Sequence, residues 1–337
     1  MTTTRHVDAL RISVIIPTRN RLAALKRCLA ALEAQTLPRD AWEVIVVNDG
    51  STDGTAEYLT TGAAAGTWRY TALSQGGPAR ARNAGIREAR GRVLVFIGDD
   101  IYPTPAFLER HLAAHDAVGN DATAVLGRTE WANTLHVTPL MRYEGLGQFD
   151  YHEIDAGAAD VNASDLPFRF FYTSNVSVCR TFLERHGLLF DEDFRQAMGE
   201  DGEFAFRARR HGLRLRYEPV ALAHHDHPTT FTAARARCRL KGEVTILQAR
   251  KHPDWANLEF LALDWRGRIR HGVRRLCAGA LVPVLTWADL EELEIDAWRL
   301  GWAFDFVFAE AEFSGMRRAL TLERCDDRRT IEEISRR

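Results

Sequence analysis

Two adjacent carboxylates, Asp99 and Asp100, follow the apolar residues 93–97 after a single glycine, Gly98. A buried strand that ends in such a pair places oxygen ligands at the carboxyl edge of a sheet, where ligands bind in open α/β sheets. Hard divalent cations such as Mg²⁺ or Mn²⁺ prefer oxygen ligands and commonly bridge to the phosphates of a substrate. The pair therefore predicts a cation site that handles a phosphorylated ligand.

Polar residues also follow three other apolar runs, at 17–20, 48–51 and 76–83. Each of these loops alone is typical of an ordinary turn or helix cap, because Asn, Asp, Gly and Ser favour both. Four polar loops at one edge of one sheet are better explained by a shared ligand than by four unrelated turns.

The elements that must position these loops alternate regularly along the first hundred residues. Short apolar runs predict strands at 12–17, 43–48, 69–73 and 93–97, and helical periodicity predicts helices at 22–35, 52–60 and 79–89. This alternation is typical of βαβ units and predicts an α/β fold with a mostly parallel central sheet. Further strands are predicted at 124–128, 173–178 and 213–217, a helix at 200–211, and a mainly helical segment beyond residue 230.

Several classes of protein are disfavoured by the sequence. The turn after the first strand, residues 18–23, contains no glycine, so the GxGxxG pattern of NAD or FAD enzymes is missing, as is a P-loop. A net charge of −2 does not indicate a general nucleic-acid binder. Five scattered cysteines without a CxxC pair argue against a disulfide framework or a zinc site and favour the cytoplasm. Residues 1–8 lack the apolar core of a signal peptide.

An ordered series of motifs resembles a known family. Residues 14–20, 46–55 and 81–86, the pair Asp99-Asp100, and Met198-Gly199-Glu200-Asp201 follow one another as in family 2 glycosyltransferases of the GT-A fold. The resemblance covers about residues 12–228, two thirds of the chain. It implies a Rossmann-like catalytic domain that uses a nucleotide-sugar and usually a divalent metal, Mn²⁺ or Mg²⁺.

The resemblance assigns expected roles to individual residues. Pro17, Thr18 and Asn20 match positions that line the nucleotide pocket, and Asp49 matches the aspartate that contacts the base, usually uracil. The remaining donor-side matches are Arg82 near the diphosphate, Asp99 facing the ribose, and Asp100 as the metal-coordinating aspartate of the DxD-type motif. The first position of that motif is often acidic in the family but is Gly98 here.

The pair Glu200-Asp201 resembles the family's ED motif, whose aspartate typically acts as the catalytic base. Adjacent helical residues project about 100° apart, so only one can point squarely into the site. We expect Asp201 to be the base and Glu200 to support it. The alternative is that acidic residues at a helix start stabilise only the helix dipole.

A histidine-rich segment, His224-His225-Asp226-His227, follows the apolar residues 220–223. Some family members supply a third metal ligand at the position that matches His225, with His224 and His227 as alternatives here. Histidine is a common metal ligand but is also common in solvated loops.

These observations predict a GT-A catalytic domain at 1–230, with nucleotide-sugar binding at 10–101 and an acceptor and base region at 122–228, followed by a helical extension at 231–337. The expected enzyme is an inverting, hexosyltransferase-type glycosyltransferase with a UDP-sugar as the favoured donor. Its acceptor would be a saccharide, a lipid-linked molecule or a small molecule, in cell-envelope polysaccharide, glycolipid or secondary-metabolite synthesis. Two alternatives stay open: a non-catalytic nucleotide-sugar binding module, and a sugar-1-phosphate nucleotidyltransferase, which would need a glycine-rich, lysine-bearing signature near the first strand.

The C-terminal third offers two further readings. Residues 265–276 are basic and lead into an apolar segment that contains Pro283 and is too short to span a bilayer. This segment is either a solvated helix face or a surface that contacts an anionic membrane, which would place a cytoplasmic enzyme at the inner face of that membrane. Residues 297–308 are rich in aromatic side chains and are expected to pack on the catalytic domain or on a second subunit in a homodimer.

Overall fold

The computed structural model describes residues 10–145, 151, 154, 165–255, 265–290 and 297–322. Within them the chain forms two compact units: the first holds the described residues of Met1–Leu135 and Gly145–His227, and the second those of His136–Glu144 and Pro228–Arg337. Parts of the predicted regions lie outside the described residues, namely 1–9, 146–150, 152–153, 155–164, 256–264, 291–296 and 323–337.

The first unit is built on one sheet of eight described strands. They are β1 Ile12–Thr18, β2 Trp42–Asp49, β3 Arg69–Leu73, β4 Val93–Ile97, β5 Ile101–Pro103, β6 Thr123–Trp131, β7 Asn175–Cys179 and β8 Arg214–His225, in the order β3-β2-β1-β4-β7-β6-β8-β5. Strands β1 to β4 run parallel, β7 is antiparallel to β4 and β6, β8 is parallel to β6, and β5 is antiparallel to β8. The predicted α/β class with a mostly parallel sheet is confirmed.

The described residues contain ten α-helices. They are α1 Leu22–Glu33, α2 Thr55–Ala64, α3 Pro78–Glu88, α4 Phe107–Val118, α5 Pro139–Tyr143, α6 Arg180–His186, α7 Glu200–Arg210, α8 Phe231–Lys251, α9 Trp265–Leu290 and α10 Ala297–Leu322. Strands β2 and β4 are buried along their whole length, because helices cover both faces of a parallel sheet. Pro78 opens α3 at a position where its missing N–H costs nothing.

Strand β8 differs from the prediction, which ended a strand at residue 217 before Pro219. It is a single strand of 12 residues. Its pairing with β6 shifts between Gly127 and Arg128, which pair with Glu218 and Leu222, so the three residues 219–221 bulge out of the ladder. Proline is tolerated at a bulge because no ladder hydrogen bond is needed there.

The short strand β5, which the sequence did not predict, joins the acidic pair to the end of β8. Ile101 pairs with His225 and Tyr102 with His224. The N–H of Asp226 donates to the carbonyl of Asp100 at 3.0 Å. Asp100 and the histidine-rich segment are therefore held in one antiparallel ladder although 125 residues separate them.

The second unit is helical in its described residues and comprises α5, α8, α9 and α10. Its core includes Phe231, Leu285, Phe304 and Phe308. Helix α9 continues through Pro283. None of the described helices combines the length and the apolar character needed to cross a membrane. The four described cysteines are free: Cys28, Cys179, Cys238 and Cys277.

Candidate active site

Asp100 is the centre of a cluster at the carboxyl edge of the sheet. Its Oδ2 atom lies 3.3 Å from Nε2 of His225 and 3.1 Å from Nδ1 of His227. Asp100 and His225 are buried and His227 is half-buried. Burial alone would raise the pKa of Asp100, but hydrogen bonds from the two histidines hold it well below its usual range. The Asp100 carboxylate is therefore ionised and acts as an acceptor.

Arg21, at the start of α1, reaches the same carboxylate. Its Nη2 donates to Asp100 Oδ2 at 2.7 Å and lies 2.9 Å from Nδ1 of His227, while its Nη1 is 3.3 Å from Oδ1 of Asp99. The guanidinium is about one-third exposed and places a fixed positive charge among the acidic side chains. The sequence analysis did not single out Arg21, because nothing in the turn at residues 18–23 indicates contact with residues about 80 and 200 positions further along the chain.

Asp99 lies beside this cluster and accepts a hydrogen bond of 2.7 Å from Oγ1 of Thr18 at the end of β1. Burial raises the pKa of Asp99 to about 7; Arg21 opposes that rise, and the neighbouring Asp100 charge adds to it. The predicted pocket residue Thr18 is thus brought together with the predicted ribose-facing residue Asp99.

Aromatic stacking fixes the orientation of the two histidine rings. The rings of His225 and Trp131 are nearly parallel, at 6°, with centroids 5.6 Å apart, and the rings of His225 and His227 stack at 5.2 Å. His224 is adjacent to His225 in β8 and so points to the opposite face of the sheet. Of the three candidate histidines, His225 and His227 approach Asp100.

These three residues have the chemistry of a divalent-cation site. Within the part of the chain that the structure describes, Asp100, His225 and His227 each offer one ligand atom, and the three atoms lie within 4.8 Å of one another. One carboxylate oxygen and two imidazole nitrogens suit a transition metal better than Mg²⁺, which prefers oxygen ligands. The donor set therefore fits a cation.

The other predicted donor-side residues lie near the carboxyl ends of β1 and β2 and in the loop after β1. Asn20 adopts φ +52°, and its Oδ1 accepts from the N–H of Thr52 at 2.7 Å, which ties the two loops together. Asp49 is buried, and its two carboxylate oxygens accept from the N–H groups of Gly76 and Gly77 at 2.7 and 2.8 Å. Asp49 thus shapes the turn that leads into α3, a structural role that the sequence analysis missed. Pro17 lies in β1 and is half-buried.

Arg82 is engaged in a buried ion pair. Its Nη1 donates to Oε1 of Glu200 at 2.8 Å, and the two side chains are only 8% and 4% exposed. The guanidinium carbon lies 5.5 Å from the centre of the Phe190 ring, and no described residue forms a hydrogen bond with the Arg82 Nε. Burial raises the pKa of Glu200, although Arg82 opposes that rise.

Asp201, next to Glu200 at the start of α7, is half-buried, whereas Glu200 is buried. Burial raises the pKa of Asp201. The charge of Arg82 opposes this rise most strongly, and the N–H groups of Gly202 and Thr173 oppose it to a smaller extent. Thr173 lies two residues before Asn175, which pairs with Ile97 at the end of β4. Asp201 therefore lies at the same edge of the sheet as the acidic pair, with a carboxyl group suited to accept a proton.

Comparison with known proteins identifies a family. Residues 13–176 match the family model described as glycosyl transferase family 2. A pre-mycofactocin glycosyltransferase from Mycobacterium tuberculosis is 30% identical over 245 residues, which are 72% of this chain and 48% of that protein. A validoxylamine A glucosyltransferase from Streptomyces hygroscopicus subsp. jinggangensis is 32% identical over 289 residues, 78% of this chain and 66% of that protein. The chain spans about half the length of the first of these relatives.

Solved structures show the same fold. The mannosyltransferase PcManGT from Pyrobaculum calidifontis, in complex with GDP-Man and Mn²⁺, superposes with a TM-score of 0.60 at 22% identity, covering 90% of this chain and 86% of that one. TarS 1–349 from S. aureus superposes with a TM-score of 0.51 at 17% identity, covering 93% and 91%. The GT-A fold expected from the sequence motifs is confirmed.

Proposed function

This chain belongs to glycosyl transferase family 2, and from that premise we propose that it transfers a sugar from a nucleoside diphosphate sugar to an acceptor hydroxyl, with inversion at the anomeric carbon. The observation that carries the proposal is the cluster of Asp100, His225 and His227 at the carboxyl edge of the sheet. It joins a carboxylate that stays ionised to two oriented imidazoles at the edge where α/β sheets bind their ligands.

The reaction is a single displacement. The acceptor oxygen forms a bond to the anomeric carbon while the bond from that carbon to the donor's phosphate oxygen breaks, and the nucleoside diphosphate leaves with the electron pair. Asp201 takes the proton of the acceptor hydroxyl, a contribution of about 10²–10⁴-fold for a general base in reach. Burial of Asp201 favours this role because it raises the pKa of the carboxyl toward the working pH.

Asp100, His225 and His227 would hold a divalent cation, for which we propose Mn²⁺ over Mg²⁺ because two of the ligands are nitrogens. When bound, it supplies Lewis-acid stabilisation of the charge that develops on the departing diphosphate. Arg21 lies against the same carboxylate and adds a fixed positive charge there. The mannosyltransferase that shares the fold is described in complex with GDP-Man and Mn²⁺, which supports the proposed choice of metal.

For the donor we propose a UDP-sugar, with Thr18, Asn20 and Asp49 lining the nucleotide side of the site and Arg82 near the diphosphate. The GDP-Man complex of the mannosyltransferase makes GDP the main competing nucleotide. A saccharide, a lipid-linked molecule or a small molecule would serve as acceptor. The free state of the four described cysteines is consistent with a reaction in the reducing cytoplasm.

The test is calorimetry of UDP, GDP, dTDP and CMP, each with and without Mn²⁺, on the wild type and on Asp100→Ala. We expect one diphosphate to bind in a Mn²⁺-dependent manner and to lose that dependence in the variant. The matched control is Asp40→Ala, an exposed aspartate that precedes β2 at the opposite edge of the sheet. Absence of binding for every nucleotide would overturn the proposal, and binding without turnover on any acceptor would favour a non-catalytic binding module.

A further inference from the structure

Helix α9 carries an unusual distribution of charge. It contains five arginines, at positions 266, 268, 270, 274 and 275, and one acidic residue, Asp289 near its end. All five lie in the first half of the helix, and the second half is almost entirely apolar. A basic segment that runs directly into an apolar one is typical of helices that lie on anionic surfaces.

One face of α9 exposes an apolar stripe. Val273, Leu276, Ala280 and Val284, spaced at three, four and four residues, are all exposed, and Leu276 shows 81% of its surface. Each step of three or four residues is about one helical turn, so the four side chains share one face. In the sequence the same spacing continues to Ile269 and to a tryptophan at each end, Trp265 and Trp287.

The opposite face of α9 packs against the rest of the second unit. Ala278 and Leu285 are buried in the core of the second unit, and the buried ring of His271 stacks on Phe313 with centroids 4.2 Å apart. Arg274, at the side of the helix, approaches the ring of Phe306 to 5.9 Å. The exposed stripe is therefore a second apolar face that folding of the second unit does not cover.

An exposed apolar face of this kind marks an interaction surface, and the charges around it indicate the partner. A second copy of the chain would offer a single carboxylate from its own α9, Asp289, against the five arginines of that helix, so the two copies would remain poorly matched in charge. Anionic lipid headgroups supply negative charge next to an apolar layer, which matches a helix that carries five arginines and an exposed apolar stripe.

We propose that the exposed stripe of α9 lies in the headgroup layer of a membrane that contains anionic lipid. Pro283 lacks an N–H and leaves the carbonyl of Gly279 without its helical partner, on the exposed side of the helix. Water and headgroups can satisfy that carbonyl in the interfacial layer. The helix therefore rests on the membrane, in line with the absence of a membrane-crossing helix among the described residues. Vesicle binding requires neither donor nor acceptor, so this proposal stands apart from the transfer reaction.

The test is flotation of the full chain with vesicles of phosphatidylcholine alone or with about one third phosphatidylglycerol. We expect the wild type to float only with the anionic vesicles and to be released by about 0.5 M salt, because screening weakens the attraction of arginine for the surface. Arg274→Glu/Arg275→Glu should weaken binding by at least about fivefold for each arginine removed. Leu276→Glu/Val284→Glu should weaken it by at least about tenfold.

The matched control is Val220→Glu, because Val220 in the bulge of β8 is 52% exposed, close to the 56% of Val284. This variant should float like the wild type. Circular dichroism and the thermal unfolding midpoint check that each variant is folded, and light scattering reports its oligomeric state. The proposal is overturned if the wild type fails to float with anionic vesicles, if Leu276→Glu/Val284→Glu floats as well as the wild type, or if the wild type is a dimer that this variant dissociates.

Discussion

Removing the Arg82 guanidinium should destabilise the folded chain much more at pH 8 than at pH 5. Arg82 and Glu200 are 8% and 4% exposed, so Arg82→Met leaves a carboxylate buried without its counter-charge. Loss of one partner of a buried pair costs about 3–5 kcal/mol of unfolding free energy, whereas an exposed pair contributes at most about 1 kcal/mol. We expect Arg82→Met to lower the free energy of unfolding by about 3–5 kcal/mol at pH 8.

The pH dependence follows from the carboxyl group that remains. Burial already raises the pKa of Glu200, and without Arg82 it should rise further. The unfolded chain titrates near its ordinary value of about 4.3. Because the folded pKa is the higher one, stability is lost as the pH rises above about 4.3, by about 1.4 kcal/mol per pH unit, until the folded pKa is passed. At pH 5 most of that loss has not yet occurred.

The assay is urea unfolding followed by circular dichroism at pH 5 and pH 8. Arg82→Met/Glu200→Gln should recover most of the lost stability, because it removes the buried charge together with its partner. The control is Arg11→Met, whose partner Asp116 is 45% exposed, and we expect a cost of at most about 1 kcal/mol at either pH. A cost for Arg82→Met below about 1 kcal/mol at pH 8, or an equal cost at both pH values, would refute the reasoning.

Three further predictions concern the site and the core. Asp201→Asn should lower kcat by about 10²–10⁴-fold while leaving the Kd for the nucleotide within about threefold, as measured by kinetics and calorimetry. In the wild type, the pH at which kcat falls to half on the acid side should lie above the ordinary aspartate pKa of about 3.9. A parallel loss of nucleotide binding in Asp201→Asn would contradict a role as base. Arg21→Gln should tighten the binding of Mn²⁺ in the absence of nucleotide about tenfold, because it removes the positively charged guanidinium that contacts Asp100. Electron paramagnetic resonance measures this affinity, and weaker binding would show that Arg21 organises the ligands instead. Burial lowers the pKa of His111 to about 4 and that of His115 to about 3. The free energy of unfolding should therefore fall as the pH drops below about 6.5, by about 1.4 kcal/mol per pH unit for each histidine. Denaturant unfolding at a series of pH values should show a smaller slope for His111→Gln, and an unchanged slope would exclude His111 as its source.

The sequence was most informative where the signal is local. The apolar runs that end in polar residues predicted the bounds of β1, β2 and β4 to within one or two residues. A strand that is buried on both faces must consist almost entirely of apolar residues, so it is visible in the sequence as such a run. Strand β5 has three residues and pairs with a strand more than 100 positions away, so no periodicity could reveal it. Helix α4, whose residues His111 and His115 face a buried hydroxyl, Ser177, was also not predicted.

Contacts between distant residues were beyond the reach of spacing alone. The motif series proposed Asp100 with one of three histidines, and the ladder between β5 and β8 shows that two of them, His225 and His227, approach its carboxylate. The contacts of Arg21 with Asp100 and of Arg82 with Glu200 join residues 79 and 118 positions apart. Such contacts depend on the order of strands in the sheet, which the pattern of elements does not specify.

The ladder between β5 and β8 also governs how the chain can tolerate changes in length. Asp100 directly precedes Ile101, which pairs with His225, so the spacing of the candidate ligands is set by strand register and not by the residues between them. An insertion or deletion in an exposed loop between the two strands should leave that spacing intact. A one-residue deletion inside β5, or in β8 after the bulge, would turn alternate side chains to the other face and separate the ligands. Homologues and engineered variants can therefore differ widely between these strands while keeping the same cluster.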